Sequence, residues 1–508
     1  MNPFLATDFY KTSHNLQYPK GTSLVYSNFT PRSGKHSGYD SKGVVVFGCQ
    51  MTVIEINEMF ENHFFSKDKE KVCSEIKREY SLGLGCDVSV SHIEALHDLG
   101  FLPVVIKSLP EGTFSPYGVP VLTIYNTIPD AYWLTNFLET LLSNLLWKPM
   151  TSATTALRYK QILTEAAKKT DKDNLDFVGF QGHDFSMRGM DSINATISSG
   201  LGHATSFMGS DSLPVIHGAR KYYGEKGFVV GSVNATEHSV MCAGGDQDEL
   251  ETFRYLMNQF PTGILSIVSD TWDLWKVIAE YLPELKEEIT ARDGKIVIRP
   301  DSGDPVDIIC GRRLYKTERV EYGGKGLEPE HIGVIELLWT IFGGTTNEQG
   351  YKVLDSHIGA IYGDSITLGR AEEICKRLES KGFASTNVVL GIGSYTYQFN
   401  TRDTHGFAMK ATYIEIEEEF LATAESVEYG VRTVCREIFK DPITDDGTKK
   451  SAKGLLNVGE DGNRNYKLFD QQSWELEDVG HLQTIFKDGK FVNETTLTDI
   501  RERINKLI

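Results

Sequence analysis

The 508-residue chain has no Cys-x-x-Cys pair, no long apolar run and no surplus of positive charge, and each absence removes a class of protein. Its seven cysteines (Cys49, Cys73, Cys86, Cys242, Cys310, Cys375, Cys435) are odd in number and scattered. That argues against a disulfide framework or a thiolate zinc site and for a reducing compartment. The formal net charge is -18 at pH 7, spread along the chain, which disfavours nucleic acid or an anionic membrane as a general partner. The most apolar helical stretch, Tyr132 to Trp147, is interrupted by Asn136, Glu139 and Asn144 and is too short to span a bilayer. The opening MNPFLATDFYK lacks the basic start and apolar core of a signal peptide, so a cytoplasmic location is expected.

What is present points to an α/β protein of two domains. Residues 151–413 alternate short apolar runs with helical patterns, and polar residues follow each run. The runs are Phe177–Phe180, Ser206–Met208, Phe228–Val233, Ile264–Val268, Ile296–Ile298, Ile358–Tyr362, Val388–Leu390 and Phe407–Ala411. Eight such units are the number in a (β/α)8 TIM-like barrel, whose site is built at the C-terminal ends of its strands. An open doubly wound sheet is the competing arrangement. Residues 1–150 with 414–508 are expected to form a second, mixed α/β domain. It includes strand-like Gly43–Gly48, Val104–Lys107 and Val121–Tyr125, an acidic helix-like run Glu415–Glu419, a Lys/Asp/Gly-rich stretch Lys440–Lys453, a hairpin turn at Lys487-Asp-Gly-Lys and an amphipathic end helix.

The stretch KIVIRPDSGDP (Lys295 to Pro305) shows the design most plainly. A β-branched run ends in Arg299, whose guanidinium suits phosphate oxygens, and Asp301, which suits a ribose hydroxyl or a divalent cation. Alone, it also reads as a capped turn with a surface arginine. The other strand tips supply Asp184, Arg188, Asp211, Glu237, His238, Asp270 and Asp364, with glycine-rich tips at Gly363-Asp364 and Gly391-Ile-Gly393-Ser394. Backbone N–H groups in such tips cradle phosphate, and carboxylates suit ribose and Mg2+, so together they describe a phosphosugar site. His238 has no second histidine at zinc spacing, and taken singly it reads as a satisfied histidine near a helix start. Phe185 and Tyr10 taken singly read as core.

The motifs LATDFYKTSH (from Leu5), HDFSMRG (from His183), GSD (from Gly209), ATEHS (from Ala235), SIVSDTWD (from Ser266), VIRPDSGDP (from Val297), YGDSI (from Tyr362) and TRD (from Thr401) occur in one order along nearly the whole chain. In this the sequence resembles the nicotinamide phosphoribosyltransferases, a family of type II phosphoribosyltransferases. The resemblance implies an irregular β/α barrel, a homodimer with active sites shared between subunits, and the joining of nicotinamide to phosphoribosyl pyrophosphate. By position it makes Phe185 and Tyr10 of a second subunit the two faces that sandwich the pyridine ring, and Asp211 the acceptor for the carboxamide. Arg188, His238 and Arg299 fall where the ring and pyrophosphate are held, with Asp270 and Asp301 as Mg2+-linked or ribose-facing carboxylates. Gly363 and Asp364 match ribose contacts, Gly393 and Ser394 the 5′-phosphate loop, and Arg32, Arg402 and Lys410 the basic residues that reach phosphate groups. His238 also matches a histidine phosphorylated at the expense of ATP. Three alternatives stay open: a nicotinate phosphoribosyltransferase, a catalytically silent nucleotide-binding protein on the same scaffold, and a barrel phosphohydrolase.

Overall fold

A computed structural model describes residues 1–313, 328–421, 429–444 and 451–508. It divides into two compact units, the first Met1–Thr154, Ala219–Glu225 and Asn400–Leu507, the second Thr155–Gly218 and Lys226–Phe399 with Ile508.

The second unit is organised by a parallel sheet of seven strands: β1 (Gly182–Asp184), β2 (Gly209–Ser210), β3 (Asn234–Ala235), β4 (Thr262–Val268), β5 (Asp293–Arg299), β6 (Ile358–Tyr362) and β7 (Val388–Ile392). Their order is β2-β1-β7-β6-β5-β4-β3. Just before β3, Gly231 bridges Gly209 of β2, while Asn234 and Ala235 pair with Leu265 and Ser266 of β4. One short segment therefore meets both edges of the sheet. Alternation along β5 sorts its side chains: Ile296 and Ile298 are fully buried in the core, while Lys295, Val297 and Arg299 line a cavity.

Three expected strands of this unit are displaced, and one of them, Phe228–Val233, is irregular apart from the bridge at Gly231, its strand forming just after it at Asn234–Ala235. Phe177–Phe180 is helical, split between Lys172–Phe177 and Val178–Gln181, and Ser206–Met208 precedes its strand rather than forming it. A four-residue apolar run carries no period long enough to separate helix from strand, and here Val178 enters the core while Phe180 lies 40% exposed, one side of a helical turn.

The first unit holds an antiparallel seven-stranded sheet in the order Tyr429–Glu437, Ala408–Leu421, Thr22–Thr30, Leu122–Asn126, Val104–Ser108, Gln483–Lys487, Lys490–Phe491. The expected eighth barrel strand, Phe407–Ala411, belongs here: Met409 pairs antiparallel with Phe29 and Lys410 with Asn28. Glu415–Glu419 is likewise strand, not helix, because Ile414 and Ile416 are buried in the core while Glu415 between them and Glu417 after them are less buried, a period of two. The hairpin forms at Asp488-Gly489, both with positive φ, and the end helix Leu497–Asn505 buries Ile500 and Ile504. Of the Lys440–Lys453 stretch, residues 445–450 lie outside the described residues. Among the described residues no helix is long and apolar enough to cross a membrane.

Candidate functional site

At the C-terminal ends of β1 and β2 the chain builds a pocket walled in part by an aromatic ring. Phe185 follows β1 directly, and its N–H donates to Ile392 O of β7 at 3.0 Å. Its ring is seated on Gly391, where an added Cβ would lie 2.5 Å from Phe185 Cδ2, so any side chain there would displace the ring. Asp211 follows β2, and its N–H donates to Asp184 O at 3.0 Å. The buried Asp184 carboxylate ties both turns, accepting from Ser186 N at 2.9 Å and from Ser210 Oγ at 3.2 Å. Phe185, Asp211 and Arg299 line one cavity of about 600 Å3 whose walls are otherwise largely apolar. Burial raises the Asp211 carboxyl, but hydrogen bonds from His183 and Ser232 and the charge of Arg299 outweigh it and hold Asp211 below the usual carboxylate range.

At the ends of β4 to β6 the chemistry is different. Asp270 Oδ2 accepts Asp301 N at 2.8 Å, Ser302 N at 2.7 Å and Ser302 Oγ at 2.6 Å, which stitches the tip of β4 to the loop after β5. His238 Nδ1 lies 3.2 Å from Thr271 Oγ1, and its Nε2 lies 3.8 Å from Asp301 Oδ2. Gly363 N donates to Pro300 O at 3.1 Å, bringing the β6 tip and Asp364 to the same place. Burial pushes the Asp301 carboxyl above its ordinary range; Arg299 pulls it back, and Asp270 and Asp364 add to the rise. Burial lowers the Arg299 pKa, with Asp301 and Asp211 opposing.

Whether these carboxylates fit a divalent cation is decided by Asp270. Its Oδ1 is buried with no hydrogen-bond partner, although its other oxygen takes three donors. No group of three or more His, Cys, Asp or Glu among the described residues could enclose a metal ion unaided. The set fits Mg2+, which keeps waters and shares its coordination between one or two carboxylates and substrate phosphates.

The second unit thus brings Phe185, Asp211, His238, Asp270, Arg299, Asp301, Gly363 and Asp364 into two linked clusters. Arg188 lies within electrostatic reach of Arg299, and Ser394 packs on the Gly189 turn that follows Arg188, with Gly393 as the N-cap of the helix Ser394–Gln398. Tyr10, Arg32, Arg402 and Lys410 belong to the first unit. There Tyr10 is 60% exposed, Arg32 Nε donates to Gly406 O at 2.9 Å, and Arg402 lies 3.7 Å from Asp403. His183, Ser232, Thr271 and Ser302 were not singled out by sequence. Thr271 and Ser302 occupy tip positions after strands, whereas His183 lies within its strand and Ser232 inside the run Phe228–Val233, where nothing in the sequence marks it.

Comparison with known proteins settles the kinship. Residues 180–490 match the nicotinate phosphoribosyltransferase (NAPRTase) family, and residues 2–104 match the N-terminal domain of nicotinamide phosphoribosyltransferase. The chain belongs to the nicotinate phosphoribosyltransferase family. Family members named nicotinamide phosphoribosyltransferase are 49% identical in Acinetobacter baylyi, over 99% of this chain and 97% of that one, and 32% identical in Xanthomonas campestris, over 98% and 97%. Two solved structures of the fold superpose with a TM-score of 0.53 at 16% identity. They are the nicotinate-nucleotide pyrophosphorylase of Pyrococcus furiosus, covering 99% of this chain and 95% of that one, and the human nicotinic acid phosphoribosyltransferase, covering 99% and 93%. Both clusters of candidate residues, Phe185 to Asp211 and His238 to Asp364, fall within the stretch that matches the nicotinate phosphoribosyltransferase family.

Proposed function

We propose that the chain is a nicotinamide phosphoribosyltransferase, joining the ring nitrogen of nicotinamide to C1 of phosphoribosyl pyrophosphate and releasing pyrophosphate, a step of NAD salvage. The observation that carries the choice of base is Asp211, a carboxylate kept ionised beside Phe185 in a largely apolar cavity. A carboxamide donates an N–H to it; nicotinate would bring a second negative charge against it. The names of the relatives in Acinetobacter baylyi and Xanthomonas campestris support the same choice.

On this reading the seven-stranded parallel sheet is the core of an irregular β/α barrel that lacks the expected eighth strand, and the chain works in the cytoplasm as a homodimer. Tyr10 of a second copy covers the outer face of the ring, and Arg32, Arg402 and Lys410 reach phosphate groups. The bond from C1 to pyrophosphate breaks as positive charge builds on the ribosyl carbon, so the lone pair of the ring nitrogen can attack without a strong base. Arg299 and Arg188 meet the departing diphosphate, and Asp301 and Asp364 face the ribose and favour its developing charge. Gly393 and Ser394 hold the 5′-phosphate through backbone N–H groups, and Phe185 keeps the ring in line. Asp270 and Asp301 would hold Mg2+, which neutralises charge on the diphosphate. His238, with Nδ1 engaged by Thr271, presents Nε2 to the γ-phosphoryl group of ATP; ADP leaves, and loss of the phosphoryl group to water couples hydrolysis to transfer.

The test is an incubation of the purified chain with nicotinamide, phosphoribosyl pyrophosphate and Mg2+, with and without ATP. Equal amounts of nicotinamide mononucleotide and pyrophosphate are expected, with more product when ATP is present. Preference for nicotinate would move the chain to the other base, and pyrophosphate from neither base would mark a silent nucleotide-binding scaffold.

A further inference from the structure

The base pocket contains a residue that the proposed transfer does not use directly. His183 Nε2 lies 2.8 Å from Asp211 Oδ1, and Ser232 Oγ donates to the same oxygen. Because Asp211 is held ionised, Nε2 carries the proton and donates. Among the described residues both of these hydrogen bonds fall on Oδ1, and Asp211 lines the same cavity as Phe185 and Arg299. The imidazole is itself fixed. His183 and Gly209 are register partners of β1 and β2, and a Cβ on residue 209 would lie 2.7 Å from His183 Nδ1, so only glycine leaves the ring its seat. The same ring touches Phe185, with centroids 4.7 Å apart at 43°. One side chain therefore sets both the carboxylate and the aromatic face.

We infer that His183, assisted by Ser232, is a positioning residue that decides which oxygen of Asp211 meets the base and so sets the preference for a carboxamide over a carboxylate. The inference rests on the nicotinamide reading above. Two donors on one oxygen stop the carboxyl from rotating, and the lone pairs of Oδ2 then point at the substituent of the ring. Without them the carboxyl turns, its pKa rises for want of donors, and Arg299 becomes available to a substrate carboxylate.

The experiment measures kcat/KM for nicotinamide and for nicotinate in the wild type, His183→Ala, His183→Gln, Ser232→Ala, Asp211→Asn and the double variant His183→Ala with Asp211→Asn. His183→Ala is expected to reduce the preference for nicotinamide by about tenfold or more, as loss of a hydrogen bond to a charged group does, with the change in KM for nicotinamide exceeding that in kcat. His183→Gln, which keeps an N–H donor, should restore most of the preference, and Ser232→Ala should cost about threefold. The double variant should be no worse than Asp211→Asn alone, because both remove one interaction. An unchanged preference in His183→Ala, additive effects in the double variant, or equal loss on both bases without rescue by glutamine would each overturn the inference. Should His183→Ala fail to fold, Gly209→Ala keeps the histidine but unseats it; the same loss of preference is expected, and its absence counts against the role. A wild type that makes no nicotinamide mononucleotide would instead remove the nicotinamide reading.

Discussion

Asp211 and Asp301 stand near the same arginine, yet their surroundings push them in opposite directions. Donors crowd Asp211 and hold its carboxyl down; burial and two neighbouring carboxylates push Asp301 up. The difference divides the site by chemistry. The Asp211 end has a settled negative charge and suits a neutral base with an N–H to give. The Asp301 end carries more negative charge than its own cations balance, and suits Mg2+ and the arginine-bound diphosphate of a substrate. Arg299 lies within electrostatic reach of both carboxylates, and on the proposed function it serves both ends, which is why it carries the largest expected effect.

Arg299→Ala should lower kcat/KM for phosphoribosyl transfer by about a thousandfold, the scale for removing a charge that stabilises a leaving group. Steady-state kinetics checks it, and a loss below tenfold would separate Arg299 from the diphosphate. Asp211→Asn should shift the ratio of nicotinamide to nicotinate use by about a hundredfold toward nicotinate while sparing the Mg2+ requirement, measured as competing rates. Asp270→Asn should do the reverse, raising the Mg2+ concentration for half-maximal rate about tenfold with base preference intact. A variant that changed both properties together would erase the division.

The pH dependence sharpens it further. A carboxyl lowered on folding contributes stability above its unfolded pKa that is lost only as pH falls through the folded value. Asp211 is lowered, so its charge, and with it the preference for nicotinamide, should hold across pH 8 to 5 in competition assays. The smallest effect is expected at Lys295, four residues from Arg299 on the same strand and lining the same cavity. Burial lowers its pKa, and Asp355 alone opposes this. Lys295→Met should change transfer by less than about threefold and leave thermal stability equal or slightly higher, since it removes a cation from an apolar wall.

Much of this division is legible in the chain. β-branched runs ending in Arg299-Pro-Asp301 and Gly363-Asp364 announce buried strands with polar tips, and β4 to β7 form where those runs lie. The tips at Asp211 and Asp270 are equally visible. What the sequence hides are links between segments. Nothing local marks His183 over Asp184 as the partner of Asp211, because that contact joins residues 28 positions apart, and Ser232 comes from a third segment. Short elements are hidden too: Phe177–Phe180 turns helical, and Phe407–Ala411 pairs with Thr22–Thr30 in the first unit, a partner chosen by tertiary packing rather than by its own pattern.

The most direct measurement offers the wild-type chain equimolar nicotinamide and nicotinate with limiting phosphoribosyl pyrophosphate and Mg2+, and counts the two mononucleotides. The account predicts that nicotinamide mononucleotide dominates by at least about a hundredfold, the discrimination assigned to one ionised carboxylate. Comparable amounts of both, or an excess of the nicotinate product, would contradict it.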